Sequence, residues 1–231
     1  MATLPKSFRA LVIGSSGTIG YTFVESLKNH PDCTEVIGIH RHSEPAIDYA
    51  NPESIESAAL ALASHAPFQL IIIATGVLHS DQWHPEKKLA DLNPQQLSDL
   101  MLINAIGPAL TLKSFVPLLD SSYGVLVILS AKVGSIEDNR LGGWYSYRAS
   151  KAALNMLIKT SAIELKRTKP NLVVMAMHPG TVNSRLSKPF KGEQIGRPAI
   201  DAVQDMLHVI EKMSQEDSGK FLSYSGEELP W

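Results

Sequence analysis

Short, almost wholly apolar runs alternate along this chain with longer stretches whose apolar positions recur at helical spacing. Seven runs read as strands: Phe8–Ile13, Thr34–Ile39, Ala46–Asp48, Gln69–Ala74, Gly124–Ser130, Leu172–Met177 and Lys220–Tyr224. Most are too uniformly apolar to have a solvated face, which is the pattern of strands covered on both sides. Helical spacing follows the first strand to about Asn29. It returns over Pro52–Ser64, with Asn51 as the expected cap and Pro52 in the first turn. Further helices are predicted over Pro94–Leu119, where Pro108 should bend the axis, over Tyr147–Thr168 and over Pro198–Met213. Residues 77–93, 131–144 and 183–196 are polar or glycine-bearing and read as loops, the last as a flap. No repeat, low-complexity tract or linker-like change of composition interrupts the alternation, so residues 1–231 are expected to form a single α/β domain. Its architecture is expected to be doubly wound, with a mainly parallel seven-stranded sheet flanked by helices.

Three local patterns add chemistry. The first strand runs into Gly14-Ser15-Ser16-Gly17-Thr18-Ile19-Gly20 and then a helix. In that arrangement backbone N–H groups and a helix N-terminus meet a pyrophosphate, as in Rossmann-like dinucleotide sites. The spacing is not the strict G-x-G-x-x-G, and a tight turn without a ligand would read the same way. The second strand ends at His40-Arg41-His42-Ser43 with no acid that would take a ribose 2′-hydroxyl, while Arg41 is suited to a 2′-phosphate. In a dinucleotide site this favours NADP(H), with NAD(H) as the alternative. Finally, Tyr147 and Lys151 stand four residues apart on one predicted helix, hence on one face. An ammonium beside a phenol favours the phenolate and would bring its pKa toward neutrality. Such pairs also occur on ordinary solvated helices, so the spacing alone assigns nothing.

Composition narrows the partners. The chain has 231 residues, 44% of them hydrophobic, and a net charge of −2 with Lys and Arg scattered. A largely disordered chain is excluded, and nothing marks a nucleic-acid or anionic-membrane surface. Cys33 is the one cysteine, and the eight histidines are dispersed, so neither a disulfide nor a metal site is expected. The apolar runs, such as Leu70–Ala74 and Val125–Leu129, have the length of strands and not of membrane spans, and no signal-peptide run precedes the first strand. A cytoplasmic protein is the expectation.

Taken in order, Gly14, Gly17 and Gly20, then Asn104 in the long helix, then Tyr147 with Lys151, then Pro179-Gly180 resemble the short-chain dehydrogenase/reductase family over essentially the whole chain. The run from Gly142 to Asn155 is more specifically similar to the subgroup of C-factor and sniffer-type carbonyl reductases. The resemblance implies an NADP-dependent oxidoreductase moving hydride between cofactor and a small carbonyl or alcohol substrate, in a homodimer or homotetramer. It implies that Tyr147 protonates the carbonyl oxygen, that Lys151 lowers the Tyr147 pKa and binds the nicotinamide ribose, and that Asn104 holds a water of a proton relay. It further implies that Gly14–Gly20 cradles the pyrophosphate, that Asp48 meets the adenine amino group, and that Ala74, Thr75 and Gly76 lie beside the cofactor. Thr181 and Ser184, after Pro179-Gly180, would contact the carboxamide.

The chain departs from the family pattern in three places. Its glycine turn has the middle glycine at Gly17, with Thr18 where the pattern has glycine. The fourth strand run ends Ile73-Ala74-Thr75-Gly76, without the usual asparagine. Ala131 stands where the family has its catalytic serine, leaving Ser130 as the first candidate to orient the carbonyl and Ser135 as the second. Because successive strand residues face opposite ways, Ser130 substitutes only if the strand end twists or bulges. Loss of that donor leaves a second reading open, an NADP(H)-binding sensor or signalling protein with little turnover. The substrate wall is expected from Trp83, Trp144, Tyr145, Leu186 and Phe190, an apolar set.

Overall fold

A computed structural model describes residues 4–190 and 192–231. Six strands form one wholly parallel sheet: β1 (Phe8–Ile13), β2 (Cys33–Ile39), β3 (Leu70–Ile73), β4 (Gly124–Leu129), β5 (Leu172–His178) and β6 (Phe221–Ser223). Their order is β2-β1-β3-β4-β5-β6. The chain therefore steps from β1 outward to β2 and then back across to β3, opening a crevice beyond the C-terminal ends of β1 and β3. Ligands of doubly wound sheets bind in such a crevice.

Helices cover both faces. On one side α1 (Thr18–Lys28) and α7 (Ala199–Ile210) pack on Val12, Val127 and Met175. On the other, α2 (Glu53–Ala61), α4 (Gly107–Phe115) and α5 (Tyr145–Thr168) pack on Leu11, Ile71, Leu126 and Val174. Alternate residues of each central strand thus feed two separate cores, which is why the strands are apolar at every position. A short helix, α6 (Gly192–Ile195), lies in the 183–196 segment.

The expected third strand, Ala46–Asp48, does not form, and the sheet has six strands rather than seven. Its backbone groups are spent locally. Ile47 N donates to His40 O at 3.2 Å, Asp48 N to Ser54 Oγ at 2.8 Å, and Asp48 Oδ1 accepts from Ala50 N at 3.0 Å. The chain folds back into α2 and buries Ile47 and Tyr49 instead of extending the sheet edge. Asn51 does not cap α2 with its side chain. Pro52 occupies that position, and the Asn51 carbonyl accepts from Ser54.

The predicted Pro94–Leu119 helix is divided into α3 (Pro94–Met101), one π-helical turn (Leu102–Ile106), α4 and a 3₁₀ turn (Val116–Leu118). Pro108 has no N–H to give the Asn104 carbonyl four residues earlier, so the α pattern cannot run through this point and the extra-residue turn accommodates it. By length and composition residues 94–118 could cross a membrane. In this fold their apolar face is spent against α2 and α5. Asn93 starts the segment by accepting from Gln95 N at 2.9 Å and Gln96 N at 3.1 Å. Asn93→Ala should lower the unfolding free energy by about 1 kcal/mol, measured by urea denaturation.

Candidate active site

The turn after β1 is held against its neighbours by backbone. Gly14 N and Ser15 N both donate to Ile39 O at the end of β2, at 2.8 and 3.2 Å. Gly14 has φ +91°, and a Cβ there would lie 3.0 Å from the Ala74 and Thr75 backbone. A Cβ on Gly20 would overlap the Gly14 carbonyl. Glycine is therefore required at both positions by close approach. A Cβ on Gly17 would meet only Gly14 O at an ordinary 3.5 Å, so the irregular middle spacing costs the turn nothing. The N-terminus of α1 has no side-chain cap and no acid in its first turn. Open N–H donors at the positive end of a helix dipole, beside a backbone cradle, fit a dinucleotide pyrophosphate. Arg41 is exposed two residues beyond Ile39, next to this turn.

From there a cavity of ≈ 620 Å³ runs along the C-terminal edge of the sheet. It brings together Ile19, Ala74, Thr75, Gly76, Ser130, Tyr147, Lys151, Pro179, Gly180, Thr181 and Ser184. Gly14, Ser15, Ser16, Gly17, Thr18, Gly20, Arg41, Asp48 and Asn104 are not on its wall. Asp48 is exposed in the turn before α2.

Tyr147 and Lys151 are 7% and 3% exposed. Lys151 Nζ donates to Leu129 O at 3.0 Å and lies about where a Gly76 side chain would begin, 3.5 Å from that hypothetical Cβ. The expectation that the ammonium would lower the phenol pKa is not met. Desolvation dominates both groups: burial pushes the Tyr147 phenol well above its usual value and brings Lys151 down to about 8. The phenol accordingly stays protonated at neutral pH.

Asn104 is fully buried, and its side chain is used up. Oδ1 accepts from Val77 N at 2.8 Å, while Nδ2 donates to Val77 O at 2.8 Å and to Ser150 Oγ at 3.1 Å. The amide thus pins the end of the β3 loop to the turn of α5 carrying Lys151. The group left open by the α pattern is its carbonyl, because of Pro108.

Ser130 reaches the cavity wall with its hydroxyl engaged by Asn155, and Ser135 lies off the wall. The β4–β5 register runs unbroken from Gly124↔Leu172 to Leu129↔Met177. Ser130 therefore keeps the alternation of Leu126 and Ile128 toward α5, where its Oγ donates to Asn155 Oδ1 at 2.6 Å. Ser135 Oγ donates to Trp231 O at 3.2 Å, away from the cavity. Ala131 lines the cavity and packs against the cluster that holds Tyr147, offering no hydroxyl.

Several contributors had no clear mark in the sequence. Thr75 Oγ1 bonds Tyr49 OH at 3.1 Å, and Tyr49 OH accepts from Thr111 Oγ1 at 3.2 Å, a buried chain tying the end of β3 to α4. His178 lies on the wall with Nδ1 buried and without a partner among the described residues. Burial, Lys132 and Lys151 lower its pKa to about 4, so it is neutral. Of the expected substrate wall, Trp144, Leu186 and Phe190 line the cavity, Trp83 packs behind them and Tyr145 points to solvent. Trp144 meets Phe190 at 5.1 Å and Tyr147 at 6.2 Å between ring centroids. Among the described residues, no group of three or more His, Cys, Asp or Glu could hold a metal.

A glycine-cradled helix N-terminus, a switch-point crevice and a buried Tyr–Lys pair on one cavity define a dinucleotide-dependent oxidoreductase of the short-chain class. The short chain dehydrogenase family model matches residues 9–194, and the chain belongs to that family. Among its relatives, 1-hydroxy-2-glutathionyl-2-methyl-3-butene dehydrogenase of Rhodococcus sp. (strain AD45) is 32% identical, covering 81% of this chain and 80% of that protein. The C-signal protein of Myxococcus xanthus is 33% identical over 62% of this chain and 83% of its own. In fold the chain is similar to the carbonyl reductase Sniffer of D. melanogaster, with a TM-score of 0.85 at 20% identity, covering 98% of this chain and 100% of that one.

Lys151 yields a pH prediction. Its folded pKa lies below the unfolded value, so between about pH 8 and 10 the unfolded chain binds more protons and stability rises with pH. Compared with Lys151→Met, cofactor-free protein should gain up to about 2 kcal/mol across that window, measured by urea denaturation.

Proposed function

We propose that this chain is an NADP(H)-dependent carbonyl reductase with Tyr147 as its proton donor. The observation that carries this reading is the burial of Tyr147 and Lys151 together on one cavity whose other walls are the ends of β3, β4 and β5 and Ile19 of α1. The Rhodococcus relative is named a dehydrogenase, and a carbonyl reductase from chicken fatty liver with NADPH bound has the same fold, with a TM-score of 0.84 at 24% identity over 98% of this chain and 100% of that one. When bound, the cofactor supplies hydride to the carbonyl carbon.

The protein's part follows from the site. The α1 N-terminus and the Gly14–Gly20 backbone would hold the pyrophosphate, and Arg41 would take the 2′-phosphate. Tyr147, kept protonated by burial, donates its proton to the carbonyl oxygen as charge develops there. Lys151, whose pKa burial lowers to about 8, is an ammonium at neutral pH and returns a proton to the phenolate, becoming a neutral amine that must be re-protonated from solvent. The apolar wall of Trp144, Leu186 and Phe190 excludes water and suits an aromatic or aliphatic carbonyl.

One observation favours a second reading, a dinucleotide-binding sensor with little turnover. Ala131 offers no hydroxyl, and that of Ser130 is engaged by Asn155. Steady-state oxidation of NADPH against ketones, aldehydes and quinones separates the two: tight binding with no oxidation of any of them selects the sensor.

Two variants test the assignments. Tyr147→Phe should lower kcat by about 10²–10⁴-fold with the NADPH dissociation constant nearly unchanged. Comparable loss of binding would show the phenol to be misplaced. Arg41→Ala should weaken NADPH by roughly tenfold and leave NADH nearly untouched by calorimetric titration, whereas equal effects on both would remove phosphate recognition.

A further inference from the structure

The first turn of α5, which carries Tyr147, has no cap of its own. Its N-cap position is Trp144, which has no side-chain acceptor and stands in the left-handed region at φ +54° after Gly142 and Gly143, both also at positive φ. A bulky side chain is uncommon in that conformation and needs its surroundings to hold it there. The surroundings come from 60 residues away. Glu86 O accepts from Trp144 N at 2.6 Å. The two carboxylate oxygens of Glu86 each lie 3.3 Å from Ser146 N, and Ser146 Oγ donates to Oε1. Glu86 is only 2% exposed, a rare placement for a carboxylate without a cationic partner among the described residues. Its loop is itself fixed, since Gln96 Nε2 donates to His84 O at 3.0 Å and Asp91 Oδ2 accepts from Lys87 N and Lys88 N.

We propose that Glu86 is a positioning residue for Tyr147: its carbonyl holds Trp144 in the left-handed conformation, and its carboxylate caps α5 from outside the helix. Three consequences support the assignment. An anion at a helix N-terminus matches the dipole, so the charge is stabilised where it stands. Ser146 is the residue next to Tyr147, so its clamp sets the helical phase at which the phenol enters the cavity. Trp144, locked by the same residue, packs edge-on against Tyr147 and at a tilt against Phe190, so one side chain orders both the proton donor and the apolar wall.

The catalytic half of this inference rests on the proposed reductase activity; the structural half does not, and the test separates them. In Glu86→Ala, hydrogen exchange at the Ser146 and Tyr147 amides of cofactor-free protein should accelerate by about tenfold or more, with the amides of β1 and β4 unchanged. With an oxidisable NADPH–carbonyl pair, kcat should fall by roughly 10²-fold, as for a displaced catalytic group, while the NADPH dissociation constant stays within about twofold. Glu86→Gln retains one acceptor and should recover most of both losses. If the alanine variant does not fold, the glutamine variant decides the matter, because its Ser146 amide should still exchange measurably faster than in the unmodified protein. Unchanged exchange in both variants, or NADPH affinity falling in step with kcat, overturns the proposal. Absence of turnover in the unmodified protein would count against the reductase reading alone, and the exchange measurement would still decide the role of Glu86.

Discussion

The structure depends on keeping an ammonium group and a phenol out of water at the end of a parallel sheet. Burying an isolated charge costs several kcal/mol, so a lysine held here must shed some of that cost. Lys151 does so by donating to the Leu129 carbonyl and by a pKa drawn down toward neutrality. The surrounding residues are chosen to permit the burial. A Cβ at Gly134 would come within 2.7 Å of Lys151 Cβ, so glycine there lets the turn after β4 close directly on α5. The Asn104 amide fixes Val77 and Ser150 on opposite sides of the same place. The ends of β3 and β4 thus both close on the one buried lysine.

Much of this was readable from the chain, because strands covered on both faces leave a continuous apolar signal. β1 falls on Phe8–Ile13 as expected, and the glycine turn and the helix holding Tyr147 and Lys151 stand where their patterns place them. What escaped depends on competition between alternatives that a pattern does not weigh. Ala46–Asp48 has the composition of a strand, yet Ser54 and Asp48 offered its backbone closer partners than the edge of β2. Pro108 announced a bend, but a π-helical turn and its effect on the Asn104 carbonyl follow only from which bond the proline removes. Glu86 carries no mark at all. Its loop reads as polar and solvated, and its role exists only because the fold brings it to a helix 60 residues on.

The expected tuning of Tyr147 shows the same limit in electrostatics. Spacing alone places an ammonium one turn from a phenol and predicts a lowered pKa. Burial reverses the sign, because the low-polarity surroundings that would strengthen the attraction also penalise the phenolate and deplete the ammonium. The outcome suits donation: an acid that holds its proton until a carbonyl oxygen gains charge is better placed for reduction than one already ionised.

The missing serine then shapes what the site can select. Beyond the intact β4 register the Ser130 hydroxyl is bonded to Asn155 and Ala131 offers the cavity only a methyl group. A single lost donor to a developing oxyanion is worth about 10²–10³-fold in rate. A carbonyl held by one phenol is also less fixed in direction than one held by two hydroxyls. Orientation must then come from shape, and the part of the cavity nearest the phenol is Trp144, Phe190 and Leu186. On the proposed reductase reading, the aromatic wall and the Glu86 clamp that orders it would take over the aiming that a serine otherwise performs, and the site should favour rigid apolar carbonyls over small flexible ones.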